Sequence, residues 1–326
     1  MKPEMLPSIQ DIQKAAQIIY QSMPPTPQYC WPMLCEKLGT EIWLKHENHT
    51  PVGAFKIRGG LVYFENLRKS GEAIRGVICA TRGNHGQSIG FAAQKYGIPA
   101  TVVVPKGNST DKNTAMKAMG VELIEHGEDF QESLEFAQKL ADDLNLHMVP
   151  SFHPLLVTGV ATYSYELFHA VQDLDTVYVP IGLGSGICGM IAVRDAMELK
   201  TQIVGVVSSH ANAYAQSFQS QQLLQSPTTT TLADGMACRT PNPQALEIIR
   251  KGVDHIVEVT DQEVTNAMRL LFSCTHNAVE GAGAASFAAA LQEKDENSGK
   301  KIASIATGGN VDKEVFARIL SSQNVM

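Results

Sequence analysis

Apolar positions along the chain recur with two different periods. Behind Ser8, residues Ile9, Ile12, Ala15, Ile18 and Ile19 follow a three- and four-residue spacing. This predicts a capped N-terminal helix, ended by the proline cluster Pro24, Pro25 and Pro27. "EIWLKHE" predicts a strand. "NHTPVGAFKIRGGLVYFENLRKSG" predicts a loop entering a helix with Ile57, Leu61, Phe64 and Leu67 on one face and Gly71 at its end. Beyond it the pattern alternates: strand "GVICA", helix "QSIGFAAQKYG", strand "ATVVVP", helix "TDKNTAMKAMG", strand "VELIEHG", helix "DFQESLEFAQKLADDLN", short strand "LHMVP", helix "PLLVTGVATYSYELFHAV", strand "TVYVPIG", helix "GMIAVRDAMEL" and strand "QIVGVV". "HIVEVT" and "KIASIAT" predict later strands, with helices over "DQEVTNAMRLLFSCT" and "EGAGAASFAAALQEK". Apolar strands separated by helices predict parallel sheet covered on both faces, an α/β fold. No internal repeat is present. "SQQLLQSPTTTTLADG" reads as a surface loop and "QEKDENSGKK" as a solvated turn.

A length of 326 residues favours two domains and allows a large core. The hydrophobic content of 44% and charged content of 18% are those of a soluble globular protein. A net charge of −7 argues against a nucleic-acid partner, which needs a basic face. The six cysteines, Cys30, Cys35, Cys79, Cys188, Cys238 and Cys274, form no C-x-x-C pair, so zinc and thioredoxin-type chemistry are not indicated. Several lie in apolar runs, as buried free thiols of a reducing compartment do. The N-terminus lacks the apolar segment of a signal peptide, and no apolar run is long enough to cross a bilayer. The expectation is a cytoplasmic protein that does not engage a membrane.

Candidate chemistry lies at predicted strand ends, where ligands collect in open α/β sheets. In "VYVPIGLGSGICGMIAVRDAM", Gly184-x-Gly186-x-x-Gly189 matches the dinucleotide fingerprint. Such a loop presents backbone amides and a helix N-terminus to a phosphate. A dinucleotide also needs an acid at the end of the next strand, yet "QIVGVV" is followed by Ser208, Ser209 and His210. NAD is therefore disfavoured, and another phosphate or an unliganded turn remains open. In "PVGAFKIRGG", Lys56 sits where a loop enters a helix. That position disfavours its protonated form, and a neutral amine is a nucleophile for carbonyls, although a plain surface lysine fits too. In "CATRGNHGQS", Thr81 is placed to cap a helix, and Asn84, His85 and the amides from Gly83 to Gly86 suit an anion or a polar ring. "IASIATGGNVD" ends a buried strand at Thr307-Gly308-Gly309-Asn310, a ligand contact or a turn.

In this order, the four segments resemble the fold-type II pyridoxal-phosphate enzymes, in particular serine/threonine dehydratases (threonine ammonia-lyases) and serine racemases. "GAFKIRGG" is similar to the family's lysine motif, "TRGNHGQ" to its asparagine loop, "PIGLGSGICG" to its phosphate loop and "ATGGN" to its S-G-G-N segment. "TLADGMA" and "EGAGAAS" fall where further family segments lie, and the resemblance runs from about Ile9 to Asp312. It implies a tryptophan synthase β-like fold of two doubly wound open-sheet domains. Residues 1–75 and 151–326 would form the larger, cofactor-binding domain, and 76–150 a smaller inserted one. It implies that pyridoxal 5'-phosphate is bound covalently by Lys56. Gly182, Gly184, Ser185 and Gly186 would cradle its phosphate, Asn84 its ring hydroxyl and Thr307 its pyridine nitrogen; Phe55, Leu183 and Glu280 would complete the cofactor site. Thr81, Arg82, Gly83 and His85 would hold the substrate. A hydroxyl at the ring nitrogen leaves a weaker electron sink than a carboxylate does, which favours β-elimination. The implied reaction converts a small β-hydroxy amino acid such as L-threonine or L-serine into a 2-oxo acid and ammonia, in a homodimer.

The chain departs from the family pattern in several places. Ala54 replaces the serine of the lysine motif, Leu183 and Ser185 stand where many dehydratases carry glycine, and Arg82 replaces the alanine of dehydratases and the serine with which racemases protonate the second face. Racemisation is thereby disfavoured. Arg82 offers a planar cation for the α-carboxylate or for a second acid, as in a 3-hydroxyaspartate, or points to solvent. A cation site known in some relatives maps to Val207 and Ala213, so no metal is expected there. A 3-hydroxyaspartate dehydratase, serine racemase or β-replacement enzyme is the nearest alternative; an NAD-dependent oxidoreductase and a non-enzymatic α/β binding protein stand further off.

Overall fold

Two sheets organise the chain, each sandwiched by helices. The computed structural model describes residues 6–322. The larger sheet has six strands in the order β1 (Gln28–Cys30), β2 (Glu41–His46), β10 (Lys301–Ala306), β7 (Thr176–Pro180), β8 (Gln202–Ser208) and β9 (His255–Val259). All neighbours are parallel except the edge pair β1 and β2. The smaller sheet is wholly parallel, in the order β5 (Glu122–Glu125), β4 (Ala100–Val104), β3 (Val77–Ala80) and β6 (His147–Met148).

Both faces of β3, β4, β7, β8 and β10 are buried, which is why their sequences run nearly unbroken in apolar residues rather than alternating. Val177 and Val179 of β7 face α1 (Ile9–Ile19), α7 (Pro154–Ala170), α8 (Ser185–Ala196) and α10 (Pro243–Gly252). Tyr178 between them turns to the opposite layer, built from α2 (Pro32–Leu38), α11 (Asp261–Thr275), α12 (Gly281–Gln292) and α13 (Lys313–Ser321). In the smaller sheet Val77 and Cys79 pack on α3 (Lys56–Lys69) and α4 (Asn84–Tyr96), while Ile78 and Ala80 pack on α6 (Phe130–Leu144). α5 (Thr110–Ala118) and α9 (Ala213–Ser220) complete the helices.

Helix boundaries follow local chemistry. Ser8 caps α1 as expected and forms a capping box with Asp11, and Thr260 and Glu263 form another at α11. α1 ends at Ile19 with Tyr20 as its cap, one turn before the prolines. Gly97 closes α4 in the left-handed region. Thr81 does not cap α4 as anticipated: its hydroxyl accepts the Gly83 N–H at 2.9 Å, folding the loop, and the helix opens behind Gly83. β1, α2, α9, α10 and α13 add to the predicted elements.

No helix among the described residues is long and apolar enough to cross a membrane.

Candidate active site

The strand order β2-β10-β7 sets three motif loops side by side at the carboxyl ends of neighbouring parallel strands. Hydrogen bonds stitch the first two together. Phe55 N–H donates to the Thr307 carbonyl (3.0 Å), Gly309 N–H to the Gly53 carbonyl (2.9 Å), and Ala54 bridges Gly308. Lys56 therefore opens α3 beside the end of β10. Its Nζ lies 3.1 Å from the Oγ of Ser185, the first residue of α8 in the glycine loop. Lys56 and the segment around Gly184 thus share one place, in the wall of a cleft of about 780 Å³.

Every residue expected from the sequence to bind cofactor or substrate lines this cleft: Phe55, Lys56, Asn84, Gly182, Leu183, Gly184, Ser185, Gly186, Glu280 and Thr307, with Thr81, Arg82, Gly83 and His85. Of the cysteines, only Cys238 borders it. The loop read as a surface segment also contributes its rim through Gln225, Ser226, Pro227 and Thr228.

The amine of Lys56 has no carboxylate partner among the described residues, and burial brings its pKa down to about 8. Burial, rather than the helix end invoked from the sequence, lowers it. His85 is buried with Nε2 unpartnered; burial, then the charge of Lys56, pushes its pKa down to about 3. It is therefore a neutral imidazole with one nitrogen free for a ligand.

Around Asn84 a polar network spans the cleft. Its Nδ2 donates to Glu280 Oε1 at 2.5 Å, and its Oδ1 accepts from Asn310 Nδ2 at 2.9 Å. Lys112, from α5, was not singled out in the sequence. Its Nζ lies 2.7 Å from Asp234 Oδ2 and 3.4 Å from Glu280 Oε2. Burial opposes its charge, but the two carboxylates outweigh it and raise its pKa; burial raises that of Glu280. Nothing in "TDKNTAMKAMG" marks this lysine, because its partners are remote in sequence.

The glycine loop is shaped for close approach. Gly184 has φ +102°, and a Cβ there would stand 2.7 Å from that of Ala245. A Cβ on Gly182 would stand 2.5 Å from the Gly235 carbonyl oxygen. Tyr214 and Tyr163 brace the loop by donating to the carbonyls of Leu183 (3.0 Å) and Gly186 (3.2 Å). A helix N-terminus behind a glycine-rich loop is an anion cradle. Together with a depressed-pKa lysine and an unpartnered buried imidazole, it fits a ligand that is both a carbonyl compound and a phosphate.

A family model described as "Pyridoxal-phosphate dependent enzyme" matches residues 19–308. The chain belongs to this family of enzymes. The L-threonine ammonia-lyase of Thermotoga maritima is 32% identical over 315 residues, 96% of this chain and 78% of that protein. The L-threo-3-hydroxyaspartate ammonia-lyase of Saccharomyces cerevisiae is 32% identical over 320 residues, 98% of each chain. The maize serine racemase structure superposes with a TM-score of 0.89 at 27% identity, covering 95% of this chain and 96% of the other. The fold is accordingly the fold-type II arrangement that the motifs implied, and the cofactor of the family is pyridoxal phosphate.

Proposed function

We propose that the protein is a dehydratase (ammonia-lyase) of small β-hydroxy amino acids, acting on L-threonine or L-serine to give a 2-oxo acid and ammonia. The observation that carries this reading is the 3.1 Å approach of the Lys56 amine to Ser185 in the glycine loop. Bound pyridoxal phosphate supplies an aldehyde that links to amines and a ring that accepts electrons from Cα. Lys56 holds it and then takes the Cα proton on Nζ, a role that suits an amine whose pKa burial has lowered to about 8. Gly182, Leu183, Gly184, Ser185 and Gly186 cradle the phosphate, with Ser185 Oγ placed to pass a proton to and from Lys56. Asn84, oriented by Glu280 and Asn310, meets the ring hydroxyl; Phe55 and Thr307 complete the ring's surroundings. Thr81, Gly83, His85 and the first amides of α4 receive the α-carboxylate, the neutral imidazole adding a hydrogen bond without a charge.

A second reading is favoured by Arg82. Arg82 is half-buried in the cleft wall and pairs with no carboxylate among the described residues. A cation left free beside the α-carboxylate site suits a substrate with a second acid, such as a 3-hydroxyaspartate. Segment 76–150 is proposed as the smaller, inserted domain against 1–75 and 151–326, supported by its having its own sheet. A cytoplasmic setting is supported by six free thiols, and the homodimer by the family resemblance.

The test is release of 2-oxo acid and ammonia from purified holoenzyme with L- and D-serine, L-threonine and the 3-hydroxyaspartates. Turnover of one or more that disappears in Lys56→Ala is expected. Absence of 2-oxo acid from all of them overturns the dehydratase reading.

A further inference from the structure

On the edge of the larger sheet, outside the cleft, two thiols meet. The Sγ atoms of Cys30, which ends β1, and Cys35, in α2, lie 3.3 Å apart. Both residues are partly exposed, whereas the other four cysteines are buried. The pair is held by independent constraints. Cys30 is fixed in register opposite Trp43 of β2. The sulfur of Cys35 sits on the same strand, accepting the Ile42 N–H at 3.5 Å. The link from one to the other is only "CWPMLC", and Pro32 opens the short helix that turns the second sulfur back towards the first.

We propose that Cys30 and Cys35 are a reversible dithiol–disulfide pair, a site of oxidative modification by low-molecular-weight disulfides such as oxidised glutathione. A disulfide needs the sulfurs to close to about 2.05 Å, a movement that rotation of the two side chains can share. The order of attack follows from the surroundings. Burial, and then the neighbouring thiol, push the Cys30 pKa up to about 12, which leaves Cys35, whose sulfur lies against the Ile42 N–H, to attack first. Cys35 thiolate attacks one sulfur of the glutathione disulfide, and one glutathione leaves as the thiolate and takes up a proton. Cys30 then gives up its proton and attacks Cys35 in the mixed disulfide, expelling the second glutathione. The protein loses two electrons and two protons, and one glutathione disulfide becomes two thiols.

Both cysteines fall in a single tryptic peptide, residues 15–37, so the reaction can be read on the native protein. The holoenzyme is equilibrated in glutathione buffers of graded ratio, acid-quenched, alkylated and digested. In oxidising buffer the peptide is expected to be lighter by two hydrogens and unalkylated, returning to the dialkylated form in reducing buffer. Cys30→Ser is expected to trap one glutathione on Cys35. No residue of 28–38 lines the cleft, so turnover of the oxidised enzyme is expected within about twofold of the reduced form. Three results would each overturn the proposal: full alkylation of both cysteines throughout, an intramolecular bond seen only after unfolding in urea, or oxidation that links two chains.

Discussion

Replacing Arg58 tests how the lysine-bearing helix is anchored. Two residues beyond Lys56, the Arg58 side chain is fully buried. It donates to Glu47 through Nε (2.7 Å) and Nη2 (2.9 Å), and to Glu166 through Nη1 (2.6 Å) and Nη2 (2.8 Å). Lys45, also fully buried, pairs with Glu166 at 2.6 Å, so two cations balance two carboxylates. Arg58→Met fills similar space but leaves one cation against two carboxylates in a desolvated site. Breaking one member of such a set costs about 3–5 kcal/mol, a large part of a stability of about 5–15 kcal/mol. Urea unfolding followed by circular dichroism should show a lower midpoint at nearly unchanged slope. Arg58→Lys, which keeps the charge but not the double fork, should recover part of the loss. The dependence on pH has a definite sign. Burial pushes the Glu166 carboxyl up, but Arg58 and Lys45 outweigh it and hold its pKa below the usual value. Its contribution is thus fully present above the unfolded carboxylate pKa of about 4.3 and fades as pH falls through the lower folded value. The gap between wild type and Arg58→Met should narrow in the same acid range. A loss under about 1 kcal/mol at neutral pH would refute the reasoning, since the charges would then be compensated by something other than this set.

Other expectations concern the cleft. With the Lys56 pKa at about 8, roughly a quarter of the amine is neutral at pH 7.5, against about one part in a thousand for an ordinary lysine. The rate at which apoenzyme captures pyridoxal phosphate, followed by visible absorbance, should therefore rise with pH and level off above about 8; a rise that continues past 10 contradicts the shift. Gly184→Ala places a side chain at φ +102° against Ala245 and should weaken cofactor binding about 5- to 150-fold by equilibrium dialysis, for a strain of about 1–3 kcal/mol. Arg82→Ala should leave kcat/KM for serine and threonine within about twofold and lower that for L-threo-3-hydroxyaspartate about 10–100-fold, the range of one lost charged hydrogen bond. Unchanged kinetics on all three would remove any role for Arg82.

How far the molecule could be read from its sequence depends on where each piece of information lies. The doubly buried strands were legible because both layers demand apolar side chains, so β3, β4, β7, β8 and β10 appear as unbroken runs. β1, with three residues and half-exposed Tyr29, carries no such demand, and α2 is seven residues divided between core and solvent. α10 did carry a signal, with Pro243 at its start and the Asn242 side chain accepting two amides, that period alone did not bring out. In the site, Lys56, Asn84, Ser185 and Thr307 announced themselves because they sit in the loops and first helical turns that follow strands. Lys112 did not, since the carboxylate it meets most closely is 122 residues away. The decisive fact is similarly non-local. Strand β10, formed near the end of the chain, inserts between β2 and β7, which are contributed much earlier. That insertion sets Thr307 between the lysine loop and the glycine loop and brings Lys56 to within 3.1 Å of a residue 129 positions away. Periodicity identifies a strand but not its neighbours, so the sequence could supply the parts of the cleft only through the order of its motifs. Their proximity is a property of the sheet.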